Sequence, residues 1–420
     1  WKSLPTEESE QQLSEARIQN TVNKQQFIDK AEENLLHVYN RFPVVFDHGK
    51  GVHLYDTDQV EYLDFASGIG VMAFGYGNEE YENALISQLK EITHTSNLFY
   101  HSPMIEAAAK LTKAAGLSKV FFTNSGAEAI EGAIKTAKKY AYLRDGFAGH
   151  EIIAMNHSFH GRTVGSLSVT GTDHYREPFL PLMDGVKFAN FNDFSSILAN
   201  VTDKTCAIIM EVVQGEGGIY PADADYLKQV REFCDRKDIL LIFDEIQCGM
   251  GRCGSLYAFQ QYGVMPDILT TAKALGGGVP VGAFLLNDKV AKQSLVPGDH
   301  GTTYGGNPLC TAAVSQVLDM FENMKLVDHV NEIAPYFIAV LDELVEKYDF
   351  VESRRGLGLM QGLVLNIPVG DVVKCALLEH NLVVLSAGGN VLRMLPPLVI
   401  TKEDVDEFKM KITAVFDSFK

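Results

Sequence analysis

The stretch KVFFTNSGAEAIEGAIKTAKKYAY, residues 119–142, passes from a short apolar run to a helical pattern within a few residues. "KVFFT" reads as a buried strand. Beyond it Ile130, Ala133, Ile134, Ala137 and Ala141 share one stripe of a 3.6-residue helix. The same texture recurs outward from there. "EIIAM" (151–155), "CAIIM" (206–210), "ILLIF" (239–243) and "GAFLLN" (282–287) are further apolar runs, and "YLKQVREFCDRK" supplies a helical pattern just before "ILLIF". Strand and helix in alternation predict an α/β fold with a mainly parallel sheet. Ligands on such sheets gather at the carboxyl ends of the strands, so chemistry is sought in the residues that follow each run.

Composition bounds the function. Of the 420 residues, 46% are apolar and 21% charged, as in ordinary globular proteins. The length suggests two or three domains, or one large fold with an elaborated edge. A formal charge of -18 argues against nucleic acid or an anionic membrane as partner. Six cysteines, none in a CxxC pair, read as reduced cytosolic thiols rather than disulfides or a zinc site. No apolar run approaches membrane-spanning length. The polar, acidic start "WKSLPTEESEQQLSEARIQ" does not read as a signal peptide. Residues 5–40 read as polar and helical, "GVHLYD" and "EYLDF" as a hairpin, and the last hundred residues as an α+β region with strands "GLVLNI" and "NLVVLS".

The strand ends carry distinct chemistry. After "KVFFT", Ser125 and Glu128 match the capping box Ser-x-x-Glu, and Gly126 lets an anion approach the N–H groups of the helix end. After "ILLIF", Asp244 faces the ligand crevice, able to bind metal, act as a base or pair with a cationic ring. Gly249, Gly251 and Gly254 spell GxGxxG with Asp267 beyond. "DEIQC" separates them from the strand, however, and Asp267 precedes an apolar run, so a nicotinamide site reads poorly here. No GxxxxGK[ST] occurs, which excludes a P-loop. His157 and His160 lie three apart without a nearby Cys or His, and read as satisfied or solvated histidines rather than metal ligands. Arg162 beside glycine suits a carboxylate. Glu211 and Glu216 follow "CAIIM" as a conceivable acid/base pair. Last, Lys273 stands in "TTAKALGGG" (270–278), among small residues and before three glycines, where a reagent is more at home than a surface lysine.

A lysine, a strand-end aspartate, an anion-holding helix end and arginines together describe a pyridoxal phosphate (PLP) site. In that light the sequence resembles the class III aminotransferases of fold type I, from about Tyr39 to the C-terminus. "NSGAEA", "FHGRT", "QGEGG", "DEIQCGMGRCG", "TTAKALGGG", "HGTTYGGNPL" and "NVLRMLPPL" occur in the family's order. The resemblance implies a large PLP-binding domain over 79–311 with a seven-stranded, mainly parallel sheet. It also implies a small α+β domain made by residues 1–78 and 312–420, and a homodimer.

Position by position, the resemblance implies that Lys273 is the Schiff-base lysine that joins the cofactor aldehyde and moves the substrate proton. Asp244 would hold the ring nitrogen, Phe159 and Ile246 the ring faces, Gln247 the phenolic oxygen, and Ser125, Gly126 and Ala127 the phosphate. Thr303 would reach the phosphate of the neighbouring subunit. Arg393 would grip the α-carboxylate and Arg162 the distal carboxylate of 2-oxoglutarate or glutamate, with Glu216 switching against Arg393 and Tyr39 helping at the distal end. "YNRFP" and "AGGNVLRMLPPL" are most similar to members that act on N2-acetylornithine, in arginine biosynthesis. Succinylornithine, ornithine and 4-aminobutyrate are the alternative donors. Ile69 stands where ornithine-selective members carry tyrosine, which argues against free ornithine. "GYGN" at 75–78 and Glu211-Val212 also depart from the family pattern. No metal is expected. An NAD-dependent dehydrogenase built on the glycines at 249–254 is the alternative of a different class.

Overall fold

The computed structural model describes residues 24–420. At its centre is a seven-stranded sheet. Its strands run, edge to edge, Lys119–Thr123, Gly282–Leu286, Ile268–Thr271, Leu240–Asp244, Thr205–Glu211, Glu151–Met155 and Val186–Ala189. Gly282–Leu286 is antiparallel to both neighbours, and the pairings from Ile268–Thr271 to Val186–Ala189 are parallel.

Side chains alternate across this sheet as the strand period requires. Ile153, Ile208, Leu241, Phe243 and Leu269 enter one core. Ile152, Ala207, Ile209, Leu240, Ile242 and Ile268 enter a second. There they meet the stripe of helix Gly126–Asp145, whose Ile130, Ala133, Ile134, Ala137 and Ala141 are all buried. Both faces being covered explains why the strands read as continuous apolar runs. Helix Ala224–Lys237 lies on the first face through Tyr226, Leu227, Val230 and Phe233.

The ends of the chain build two smaller sheets. His53–Asp56 and Glu61–Asp64 form the expected hairpin, flanked by Phe46–Lys50. The fourth strand of that sheet comes from far away: Leu382–Val383 pairs in parallel with Leu63–Asp64. "NLVVLS" is therefore not one strand. Its second half, within Leu385–Ala387, belongs to another sheet with Val391–Met394, Met360–Leu365 and Val351–Leu357. The N-terminal helix ends earlier than its polar pattern predicts. Lys24–Asn34 is helical and the segment to residue 40 is not, while the part of that expectation before residue 24, with the polar start, lies outside the described residues.

Arg252 ties the central sheet to the C-terminal one. Its guanidinium is buried and donates to the carbonyls of Leu359 (3.3 Å) and Pro396. Burial draws its pKa down to about 10. Among the described residues no carboxylate lies in ion-pair contact with it, so carbonyl oxygens hold this cation directly while Asp64 attracts it from farther off.

Candidate active site

A cavity of about 460 Å³ opens where the strands Leu240–Asp244, Thr205–Glu211, Glu151–Met155 and Ile268–Thr271 end. Lys273 enters it two residues after the last of these. The lysine has φ +52°, a left-handed conformation that costs an L residue roughly 1–2 kcal/mol and points to a functional constraint. Gly277 and Gly278 follow with φ +60° and +124°, backbone that favours glycine, and Gly277 ends the short helical turn Lys273–Gly276. The Lys273 amine makes no hydrogen bond or ion pair among the described residues. Burial first, then Arg393, draws its pKa down to about 8, against the opposing pull of Glu216, Asp244 and Glu211.

Asp244 closes its strand, nearly fully buried, and three donors converge on it. Oδ1 accepts from Ile246 N (3.0 Å) and Thr270 Oγ1 (3.3 Å), and Oδ2 lies 2.7 Å from His160 Nδ1. An acceptor-only carboxylate makes Nδ1 the protonated ring nitrogen. His160 Nε2 is buried without a partner among the described residues. The histidine expected to be a bland core or surface residue thus belongs to the site, while His157 is exposed. Its signal was its place after the strand Glu151–Met155, not its residue type.

Glu211 ends the neighbouring strand in register with Asp244. Its oxygens accept from Phe159 N (3.3 Å) and Gly215 N (3.2 Å). Burial, then the Asp244 charge, pushes its carboxyl well above the usual range. Glu211 and Glu216 do not form an acid/base pair, because Glu216 is engaged elsewhere. Arg393 Nη1 donates to Glu216 Oε1 at 2.6 Å and to Gln247 Oε1 at 3.0 Å, and Gln247 Nε2 reaches Glu216 Oε1 at 3.4 Å. Burial acts to raise the Glu216 carboxyl, but Arg393, then Lys273 and Gln247, hold it below its ordinary value.

At the helix end, Ser125 caps Gly126–Asp145 by accepting from Glu128 N (3.2 Å). The capping box is only half formed. The Glu128 carboxylate returns to Asn124 N (2.8 Å), one residue upstream of the cap. The N–H groups of Gly126 and Ala127 open the helix with no acceptor among the described residues, as first-turn donors do. A Cβ on Gly126 would stand 2.8 Å from Ile246 Cδ1, so only glycine allows Ile246 to lie this close.

Phe159, Ile246, Gln247, Arg162 and Ser125 to Ala127 line the same cavity as Lys273 and Asp244, and Arg393 and Glu216 join it through Gln247. Two expected residues do not. Tyr39 is 69% exposed, Thr303 is exposed, and neither lines the cavity. Sequence reading also passed over Asn124, Val71 and Cys248, which do line it. The decoy glycines 249–254 lie in turns rather than at a helix start. Asp267 serves structure, accepting from Leu241 N and pairing with Arg231.

Residues 36–416 match the family model described as aminotransferase class-III. The chain belongs to the class III aminotransferases. This aminotransferase is 48% identical to the acetylornithine aminotransferase of Methanocaldococcus jannaschii, over 95% of this chain and all of that protein. Among solved structures it is similar to the ornithine aminotransferase from Toxoplasma gondii, described with partial occupancy of PLP at its active site. There the TM-score is 0.91 at 31% identity, covering 97% of each chain. It is also similar to the acetylornithine aminotransferase from Elizabethkingia anophelis, with a TM-score of 0.85 at 32% identity over 95% of this chain and all of that one. The α/β architecture is that of fold type I, as the motifs imply, and a nicotinamide dehydrogenase is overturned.

Proposed function

We propose that this aminotransferase uses PLP to move an amino group from N2-acetylornithine, or a closely related ω-amino donor, to 2-oxoglutarate, giving a semialdehyde and glutamate. The observation that carries the donor is the 48% identity to a named acetylornithine aminotransferase along that protein's whole length. The arrangement around Lys273 supports the chemistry. Ornithine is the second reading, favoured by the fold likeness to the Toxoplasma gondii enzyme, with Ile69 at the position argued above to disfavour it.

The site fits the cofactor by its donor set: on one cavity stand a buried carboxylate and, without partners among the described residues, an amine and two N–H groups. Gly126 and Ala127, with Ser125, would hold the phosphate at the positive helix end. Asp244 would hold a proton on the ring nitrogen, and His160, Thr270 and Ile246 fix the orientation of its carboxylate. Phe159 and Ile246 would be the apolar walls for the ring, and Gln247 would bond its phenolic oxygen. PLP, when bound, supplies an electron-withdrawing ring that stabilises the charge left when the donor carbon loses its proton. Lys273 is the base that takes that proton at Nζ and returns it. An amine near 8 leaves an appreciable neutral fraction close to pH 7, where an ordinary lysine has almost none.

Arg393 would take the α-carboxylate of glutamate once Glu216 releases it, and Arg162 the distal one. While Glu216 neutralises Arg393, the cavity accepts an ω-amino donor whose reacting end carries no carboxylate. Bidentate pairing at these arginines outweighs the unfavourable field of a chain of charge -18.

Thr303 would complete the site of a second copy, in a homodimer. Its exposure, and that of nearby apolar side chains such as Leu98 (87%) and Tyr100 (92%), supports this reading. Tyr39 would join the distal end in that assembly. Residues up to 78 and from 312 would form one small domain, supported by the parallel pairing of Leu382–Val383 with Leu63–Asp64. A cytoplasmic location and a place in arginine biosynthesis fit the six free cysteines and the donor.

Half-reactions with N2-acetylornithine, succinylornithine, ornithine and 4-aminobutyrate, followed by the cofactor spectrum, test the donor. N2-acetylornithine should react with the highest kcat/KM. No turnover of it would remove that donor.

A further inference from the structure

Arg162 is exposed and has no carboxylate partner among the described residues, yet it is not free to wander. Its guanidinium carbon lies 3.7 Å from the ring centroid of Tyr175 and 5.4 Å from that of Phe159. Tyr175 in turn meets the Phe159 ring edge-on, with centroids 6.0 Å apart and planes at 81°. One tyrosine therefore touches both the arginine at the cavity rim and the aromatic wall within it.

Tyr175 is itself well held. It sits on the short helix Asp173–Arg176, just after Gly171. That glycine's N–H donates to Ser158 O (3.1 Å) and Oγ (3.0 Å), and its carbonyl accepts from His157 N (2.9 Å). Thr172 Oγ1 adds a bond to Ser158 O (3.3 Å). The segment carrying Tyr175 is thus laced to the residues immediately before Phe159 and Arg162. His174 also lies against the Tyr175 ring, with centroids 3.8 Å apart.

The mode of contact matters. An ion pair would also fix an arginine, but it would occupy the N–H groups that a substrate needs and place a competing carboxylate beside them. Stacking on an aromatic face fixes the guanidinium plane and leaves all five N–H donors unused. We infer that Tyr175 is a positioning residue that presents Arg162 edge-first to the distal carboxylate of a 2-oxo dicarboxylic acid, and so sets the preference for dicarboxylic over monocarboxylic acceptors. This rests on the reading of Arg162 given under Proposed function and deepens it.

The holoenzyme tests it with two acceptors of equal chain length, 2-oxoglutarate and 2-oxopentanoate, against one amino donor. Tyr175→Leu should raise KM for 2-oxoglutarate about tenfold with kcat changed less than about twofold, and leave 2-oxopentanoate kinetics as they are. Tyr175→Phe keeps the ring and should stay within about twofold of the parent on both acceptors. An equal loss on both acceptors in Tyr175→Leu would overturn the inference, because the tyrosine would then act through Phe159 alone. So would failure of Tyr175→Phe to preserve KM. Arg162→Ala separates the two levels. If it raises KM for 2-oxoglutarate while Tyr175→Leu does not, positioning by Tyr175 is wrong and the role of Arg162 stands. If Arg162→Ala itself leaves KM unchanged, both fall.

Discussion

His160 and Asp244 make a 2.7 Å contact in which both side chains are almost wholly out of solvent. The imidazole comes from the loop after one strand and the carboxylate from the end of another. A hydrogen bond to a buried charged group contributes about 1.5–3 kcal/mol. His160→Leu should therefore slow the half-reaction with amino donor on the order of tenfold or more, since about 1.4 kcal/mol is a factor of ten. The cofactor should still bind, because the Gly126 helix end proposed to hold its phosphate is untouched. Stopped-flow absorbance reads both quantities. An unchanged rate would mean that Asp244 needs no help from this ring.

The amine of Lys273, drawn down to about 8 by burial and then by Arg393, carries a pH signature. Only the neutral amine attacks an aldehyde. In cofactor-free protein, trapping of Lys273 by an aldehyde with borohydride should rise with pH through a midpoint near 8, below the roughly 10.4 of a free lysine. Arg393→Ala removes a positive neighbour and leaves Glu216 to favour the charged form, so the midpoint should move up. Mass spectrometry of the labelled peptide measures it. A midpoint that ignores Arg393 would contradict this electrostatic coupling.

Glu216 and Arg393, paired at 2.6 Å, should behave as a selector. Glu216→Ala leaves the guanidinium permanently available to an α-carboxylate. The glutamate half-reaction should become faster relative to that of the ω-amino donor, with the ratio of kcat/KM values shifting by roughly tenfold or more, as charged hydrogen bonds of this kind warrant. Measuring the two half-reactions separately decides it, and a constant ratio would deny the switch.

Gly132 offers a test of the fold away from the chemistry. A Cβ there would lie 2.2 Å from Phe284 Cε1, in the contact between helix Gly126–Asp145 and the antiparallel strand Gly282–Leu286. Gly132→Ala should lower stability by about 1–3 kcal/mol through overpacking, despite the better helix propensity of alanine. Denaturant unfolding reads the loss directly. A stabilised variant would show that the ring can move aside.

The central sheet was legible because strands covered on both faces must be apolar throughout, as "CAIIM" and "ILLIF" are. Val186–Ala189 was missed. It is an edge strand, "VKFA", with a lysine and little alternation to mark it. The split of "NLVVLS" was hidden for another reason: nothing local shows that Leu382–Val383 leaves for a strand near the start of the chain. Lys273 and Asp244 announced themselves through their neighbours, a glycine run and a strand end. His160 had only its place after a strand, and Tyr175 not even that, since their contacts with Asp244 and Arg162 exist only after folding. Thr303 and Tyr39 stand apart for a physical reason of the same kind, as residues read as serving a site that one copy of the chain does not complete.

The parallel pairing of Leu382–Val383 with Leu63–Asp64 has a consequence for biogenesis. Leu63 N donates to Asn381 O (3.0 Å) and Phe65 N to Val383 O (2.9 Å), and both donors sit in residues with no exposed surface. The hairpin leaves the ribosome long before Leu382–Val383, the strand that completes its sheet. Until then an apolar edge with unmet amides waits in the open, the condition that invites self-association. Expression at low temperature or with chaperones should raise the yield of native protein, and a chain stopped short of residue 381 should be recovered as aggregate.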